Sequence, residues 1–287
     1  MNNENSPDDP GKEAEKKFAF ALDPIHIGAG GYQLGRVDNS IVKDPTTNVP
    51  KIPGTSLAGV IRAYAEIVKD QNGGSSYDID TIFGTDKKAG ILRFYDGHII
   101  FFPVNSIYGT VWITTKELLE YWCKDRETGI DTPVNDEIYV LQGLKEINNG
   151  SSIINLGWLM LQAKKANSDQ KVKIPSKLNG KNVVMISEKL FSHIVNDNLE
   201  VRTSVSIDPE TGAAKDGALF TYEAIPRGTI LGFEIGKDFR KDLTNHKIPE
   251  LLKSTYSYLK MLGIGGMGTR GFGRLEILQG DGENAKS

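Results

Sequence analysis

The segment Leu251-Leu-Lys-Ser-Thr-Tyr-Ser-Tyr-Leu-Lys-Met-Leu262, the loop Gly263-Ile-Gly-Gly-Met-Gly-Thr-Arg-Gly-Phe-Gly273 and the run Arg274-Leu-Glu-Ile-Leu278 decide the reading of this chain. The first part repeats apolar residues at helical spacing, and the last reads as a strand. Between them stand six glycines in eleven residues. A glycine costs a helix about 1 kcal/mol relative to alanine, so this is no continuation of the helix. Such a loop admits positive φ and close backbone approach. With Thr269, Arg270 and Arg274 on it, it suits cradling a polyanion through backbone N–H groups. A plain cluster of turns is the alternative.

Working outward, the same alternation of strand pairs with single helices recurs. Phe18–Leu22 reads as a first strand. Ile52-Pro-Gly-Thr-Ser leads into Leu57, Val60, Ile61, Tyr64, Ala65 and Val68, an amphipathic helix that Thr55 or Ser56 would cap. Residues 91–95, 98–104 and 110–114 read as strands, and 116–124 as a helix. Residues 124–180 are polar and irregular, which suggests insertions. A short strand at 183–186 precedes a helix through Val195, capped by Ser187. Val201–Ile207 and Ala218–Ile225 flank the turn signal Asp208-Pro-Glu-Thr-Gly212, giving a long β-hairpin. Residues 229–235 form another strand, 247–262 a helix and 271–278 a last strand. This pattern predicts an α+β fold with an antiparallel sheet.

Composition narrows the function. The chain has 287 residues, 39% apolar and 25% charged, an ordinary globular balance. No apolar run reaches the ~18 residues of a membrane span, so no membrane partner is expected. Met1–Lys17 and Gln279–Ser287 read as disordered tails around one domain at 18–278. A single cysteine, Cys123, excludes a disulfide framework and a cysteine zinc site; with the absence of a secretory signal, this favours the cytoplasm. The net charge of −3 is unlike that of a free-standing nucleic-acid binder. Locally, residues 164–181 carry a net +5, which suits a solvated loop or a binding face.

No Gly-Lys pair is followed by Ser or Thr, so a phosphate-binding Walker loop is unsupported. The four histidines are dispersed, and His98, in an apolar strand, reads as a packed residue. The region His26-Ile-Gly-Ala-Gly30, Leu34-Gly-Arg-Val-Asp-Asn-Ser40, Lys43-Asp-Pro and Ile52–Arg62 is denser in chemistry. A helix start at Ser56 offers N–H groups and a positive dipole end to an anion, with Arg62 in reach. A capped helix with a solvated arginine is the alternative. Asp38 by itself reads as a turn residue.

Taken in order, the histidine–glycine start, the Val37–Asp38 loop, the Ile-Pro-Gly-Thr-Ser-Leu-Ala-Gly-Val-Ile-Arg62 helix and the C-terminal glycine loop resemble the RAMP superfamily of CRISPR ribonucleoproteins. The run Gly90-Ile-Leu-Arg-Phe-Tyr-Asp-Gly-His-Ile-Ile-Phe-Phe-Pro-Val-Asn-Ser106, with Thr211-Gly, Gly217-Ala-Leu-Phe and Glu223-Ala-Ile-Pro226, is similar to the repeated backbone nuclease subunit of type III-B (Cmr) effector complexes. The resemblance implies a modified RRM (ferredoxin-like) core with insertions and a long β-hairpin thumb at 201–225 that wedges into a guide–target duplex. Asp38 is implied as the catalytic aspartate and ligand of a divalent metal, Mg²⁺ or Mn²⁺. The resemblance likewise implies that His26 and Glu223 lie near it and belong to the catalytic set. Guide-RNA contacts are implied for Arg62, Gly265, Gly266, Gly268 and Arg270. Lys43, Thr55 and Ser56 are candidates for the same role. Ala58 departs from the lysine that many relatives carry there, so guide contacts are expected to shift toward Lys43, Lys51 or Arg270. Implied partners are guide RNA, target RNA, further copies of the chain in a helical filament, and other type III subunits. Two other readings stay open: an RNA-binding scaffold without cleavage, and a metal-independent guide-processing ribonuclease using His26 as general base.

Overall fold

β1 (Glu15–Ala21) alternates large and small side chains, and that alternation organises the molecule. Phe18 points into one buried cluster, and Ala19 and Ala21 into another on the opposite face. The strand therefore lies inside a sheet covered on both sides. The computed structural model describes residues 14–30, 37–71, 73, 77–123, 132–133, 137–144, 147, 152–166, 173–238, 240 and 247–278. The expected tails at 1–13 and 279–287, residues 34–36 of the Asp38 loop, and His246 lie outside them. Glu15–Lys17 already belong to β1, three residues before the expected start.

A short β2 (Lys51–Ile52) leads into α1 (Gly54–Gln71). Gly54, Leu57, Ile61, Tyr64, Ala65 and Val68 of α1 are buried at helical spacing. α2 (Ile79–Phe83), β3 (Gly84–Thr85), β4 (Lys88–Ala89) and β5 (Leu92–Phe94) follow as small elements. β6 (Gly97–Ser106) and β7 (Gly109–Thr114) form a hairpin, and α3 (Lys116–Trp122) is capped by the Thr115 side chain. Cys123 closes α3 as a buried thiol.

The region expected to be irregular holds β8 (Glu137–Gln142), β9 (Ser152–Leu156) and β10 (Leu159–Lys165). β11 (Asn182–Met185) and α4 (Glu188–Asp197) follow; Ser187 caps α4 by accepting from the N–H of Leu190. β12 (Glu200–Ile207) and β13 (Ala214–Ala224) make the predicted hairpin. β14 (Ile230–Lys237), α5 (Ile248–Leu262) and β15 (Leu275–Leu278) complete the chain. Residues 271–274, expected to begin the last strand, stay outside it.

The sheet order is β15-β1-β14-β6-β7-β11-β8-β10-β9, with β2 against β6 and β5 against β14. Each of its first four strands runs antiparallel to its neighbours among them. α1 connects β1 to β6, and α5 connects β14 to β15. That is the order and connectivity of a ferredoxin-like, RRM-type core. Beyond it the sheet becomes mixed, with β7·β11 and β8·β10 parallel. α1 and α5 cover one face over Ala19, Ala21, Leu231 and Phe233. α3 covers the other, where the Trp122 ring lies so close to Gly232 that a Cβ there would come within 2.6 Å of it. Fully burying each phenylalanine at 18, 101, 102 and 233 contributes about 2–3 kcal/mol. The β12–β13 hairpin stands apart as its own two-stranded sheet.

Candidate functional site

The site forms where the standing hairpin meets the core. At its base β13 takes a second neighbour: residues 38–41 run parallel to Thr221–Glu223. The N–H of Asn39 donates to the Thr221 carbonyl at 3.0 Å, and that of Glu223 to the Asn39 carbonyl at 3.0 Å. This pairing presents Asp38 at the surface. Its Oδ2 accepts from both the N–H and the hydroxyl of Thr221, each at 2.8 Å, while its own N–H donates to Thr221 Oγ1 at 2.9 Å. The Thr221 backbone N–H, then its hydroxyl, hold the Asp38 carboxyl below its ordinary value of 3.8. Asp38 is therefore ionised at neutral pH and a weak proton acceptor. Such a carboxylate suits charge stabilisation or cation binding better than general-base work.

Behind it lie Glu223 and His26, both buried. Glu223 Oε1 meets Lys43 Nζ at 3.3 Å, and Oε2 accepts from the Ile41 N–H at 3.4 Å. Lys43, a candidate RNA contact, is thus turned onto Glu223. His26 Nδ1 lies 2.7 Å from the Glu223 carbonyl. A carbonyl only accepts, so the Nδ1 proton is present. The ring sits edge-on to Tyr222 at 5.9 Å. Its 7% exposure makes it a poor base for a substrate hydroxyl and a good strut for the end of β13.

The glycine loop closes onto the same strut. Gly266 N–H donates to the His26 carbonyl at 3.0 Å, and Gly273 N–H to the Pro24 carbonyl at 2.8 Å. At Gly265, with φ +86°, an added Cβ would lie 2.4 Å from the His26 carbonyl oxygen. The loop glycines are thus needed first by the protein's own backbone. Gly266, Gly268 and Arg270 remain exposed on its outer side. Arg270 Nη1 donates to the Tyr222 hydroxyl at 3.0 Å, which ties the loop to the hairpin base.

Asp38, Glu223, His26, Lys43, Gly265, Gly266 and Arg270 therefore converge, with Gly268 on the same loop. Thr55, Ser56 and Arg62 do not join them. α1 begins at Gly54, not at a Thr55 or Ser56 cap. The Gly54 N–H donates to Asp96 Oδ1 at 2.8 Å, and the N–H groups of Ser56 and Leu57 go to the Pro53 carbonyl. The anion at this helix start is the protein's own Asp96. Lys51 bridges Asp96 at 2.7 Å and Asp44 at 3.4 Å. Arg62 lies about 12 Å along the axis from Gly54. It holds α2 and its flank through Asp80 at 2.6 Å, the Gly84 carbonyl and Glu66 at 3.4 Å. His98 is exposed rather than packed, lining a cleft of about 360 Å³ with Pro50 and Phe191.

Sequence reasoning missed Thr221, Tyr222 and Asp96. Thr221 and Tyr222 sit immediately before Glu223 at the hairpin base, a position that could have flagged them. Asp96 carries no local signal, because its partner is 42 residues away. Among the described residues, no group of three or more His, Cys, Asp and Glu could hold a metal ion. Asp38 fits a cation only as one ligand of a site that phosphate oxygens and water complete, a mode Mg²⁺ commonly adopts.

Residues 21–276 match the model of the RAMP superfamily. The chain is 29% identical over 280 residues to the CRISPR system Cmr endoribonuclease Cmr4 of Pyrococcus furiosus, covering 90% of this chain and 92% of that protein. The fold is similar to that of a subunit of the type III-B Cmr-beta complex bound to cognate target RNA. There the TM-score is 0.67 at 20% identity, over 94% of this chain and 98% of the other. It is also similar to oligomeric Cmr4 from Pyrococcus furiosus, with a TM-score of 0.64 at 20% identity over 93% and 98% of the two chains.

Proposed function

The chain belongs to the RAMP superfamily, and we propose that it is the repeated backbone subunit of a type III CRISPR effector complex, binding guide RNA and cutting complementary target RNA. The near full-length match to a Cmr endoribonuclease supports the activity. The relatives seen as oligomers and with target RNA support the partners: guide, target, further copies of the chain and other effector subunits. No described helix is long and apolar enough to cross a membrane, and the cytoplasm is the proposed place of work.

The observation that carries the reading is the exposed, ionised Asp38 held at the base of a hairpin with apolar side chains exposed to solvent. Val205 and Leu219, paired across the hairpin, are 43% and 62% exposed, and Phe220 is 42% exposed. Aliphatic and aromatic groups without a core suit insertion between bases, which costs a few kcal/mol of unstacking. A nucleotide splayed there would bring its 2′-oxygen in line with the adjacent phosphorus. The O2′–P bond forms as the P–O5′ bond breaks; the 2′-hydroxyl proton leaves to solvent, and the O5′ leaving group takes one up. Asp38 would hold a divalent cation, Mg²⁺ or Mn²⁺, which when bound neutralises charge building on the phosphate. Arg270 and the outward N–H groups of the glycine loop hold RNA phosphates, which fixes position without reading sequence. His26 and Glu223 position the Asp38 segment.

The buried His26 ring favours this reading over a guide-processing ribonuclease with His26 as base. The test uses the assembled complex with a complementary RNA. Cuts at evenly spaced positions, dependent on added divalent cation, are expected. Unspaced cutting, or full activity in chelator, would overturn the corresponding part of the proposal.

A further inference from the structure

β15 is the edge strand of the sheet, and a cavity of about 360 Å³ opens between it and α5. Its polar lining is almost wholly cationic or hydrogen-bond donating. Lys177 and Lys260 each meet the Glu276 carboxylate at 2.6 Å, from opposite oxygens. Those two lysines hold the Glu276 carboxyl below its ordinary value, so it stays ionised and neutralises one of them. Lys253, exposed on α5, adds a third ammonium with no partner among the described residues. Each ammonium has three donor hydrogens, and Glu276 occupies only one from each of its two partners. Tyr256 and Ser257 also line the cavity, and no described group takes a hydrogen bond from either hydroxyl. Burial raises the Tyr256 hydroxyl well above its ordinary value, so it remains a donor. Glu15, whose charge also raises the Tyr256 hydroxyl, is held by Lys17 at 2.5 Å.

Three ammonium groups against one lining carboxylate, with two unspent hydroxyls, leave an excess of about two positive charges and many unused donors. A structural ion pair needs one lysine, not three. We propose that this cavity binds phosphate, either a free nucleoside monophosphate or a diester of the RNA backbone. A phosphate group is compact, multiply charged and rich in acceptors, and so complements a concave set of ammonium and hydroxyl donors. The cavity volume accommodates a phosphate with its ribose. This inference does not depend on target cleavage and stands apart from the hairpin-base site.

The test takes the full chain without guide RNA. It is titrated by calorimetry with uridine monophosphate, and separately with oligouridylate over a range of salt. The proteins are the wild type, Lys253→Ala and Tyr256→Phe, each checked for folding by circular dichroism. Wild-type binding of the monophosphate, weakened about tenfold by either substitution, would assign the site to free nucleotides. No monophosphate binding, but a log–log salt slope for oligouridylate lower by about 0.7 in Lys253→Ala, would assign it to the RNA backbone. Folded variants that bind both probes as the wild type does would overturn the proposal. The monophosphate arm requires neither guide nor cleavage, so its outcome is separable from that of the nuclease reading.

Discussion

Asp38 and Thr221 are joined by three hydrogen bonds, two from Thr221 to one carboxylate oxygen and one from the Asp38 backbone to the threonine hydroxyl. They are 183 residues apart in sequence. The candidate catalytic carboxylate is thereby fixed to the base of the hairpin that would splay the substrate.

Asp38→Ala should reduce target cleavage by ~10²-fold or more while leaving guide and target binding in place. The loop keeps its backbone pairing through Asn39, so folding should not suffer. Single-turnover cleavage by a complex built only from the variant measures this, and undiminished cutting would remove Asp38 from the mechanism.

Thr221→Val deletes the hydroxyl donor and leaves the backbone donor. The Asp38 carboxyl, held below 3.8 in the folded chain, should titrate closer to that ordinary value. The sign follows from linkage. A depressed carboxyl contributes stability that is complete above 3.8 and is lost as pH falls through the folded value. The variant should therefore be less stable than the wild type at neutral pH from this source, and that difference should vanish as pH falls below the folded value. Carboxyl carbon chemical shifts against pH give the answer; superimposable titrations would mean the hydroxyl bond is not formed in solution.

Gly265 and Gly266 should part company. Gly265→Ala forces a Cβ against the His26 carbonyl at positive φ and should destabilise the chain by roughly 1–3 kcal/mol. At Gly266 the added Cβ would lie an ordinary 3.6 Å from the His26 ring. Gly266→Ala should fold normally, and if the outer loop face carries phosphate it should load RNA poorly. Normal RNA loading by that variant would leave the loop as a connector alone.

Arg62→Ala should loosen α2 and lower stability by on the order of 1 kcal/mol, since its partners are Asp80, Glu66 and the Gly84 carbonyl. The salt dependence of RNA binding should not move. A log–log slope lower by about 0.7 with unaltered urea unfolding would instead make Arg62 a phosphate contact.

Removing the hairpin tip between Ile207 and Leu219 should reduce cutting and keep the guide bound, because among the described residues the hairpin pairs with the core through its base. Cleavage and guide retention are read in one preparation. Unchanged cut sites and rates would place the wedge elsewhere.

Much of this was legible in the residues. α1, α4 and α5 repeat buried positions at helical spacing, and Asp208-Pro-Glu-Thr-Gly212 announces its hairpin. β8 to β10 escaped because their inward positions are few: only Leu161 and Ala163 of β10 are buried, among lysines and glutamine. The nearness of Glu223 and His26 to Asp38 was legible only by resemblance, and that the glycine loop joins them was not legible at all. Spacing alone could not show it, because Thr221, Tyr222 and the His26 carbonyl are joined to their partners by tertiary pairing. Asp96 at the start of α1 shows the same limit, since a helix N-terminus says that an anion fits but not whether the chain supplies it.

The position of β1 between β14 and β15 has a consequence for synthesis. β1 has no neighbour in the sheet until β14 and β15, far along the chain, have been made. His26 likewise waits for Glu223 and Gly266, and Asp38 for Thr221. Contacts of such long sequence separation form late and slowly. A nascent chain would therefore be unable to assemble the hairpin-base site until β13 and the glycine loop have both been made.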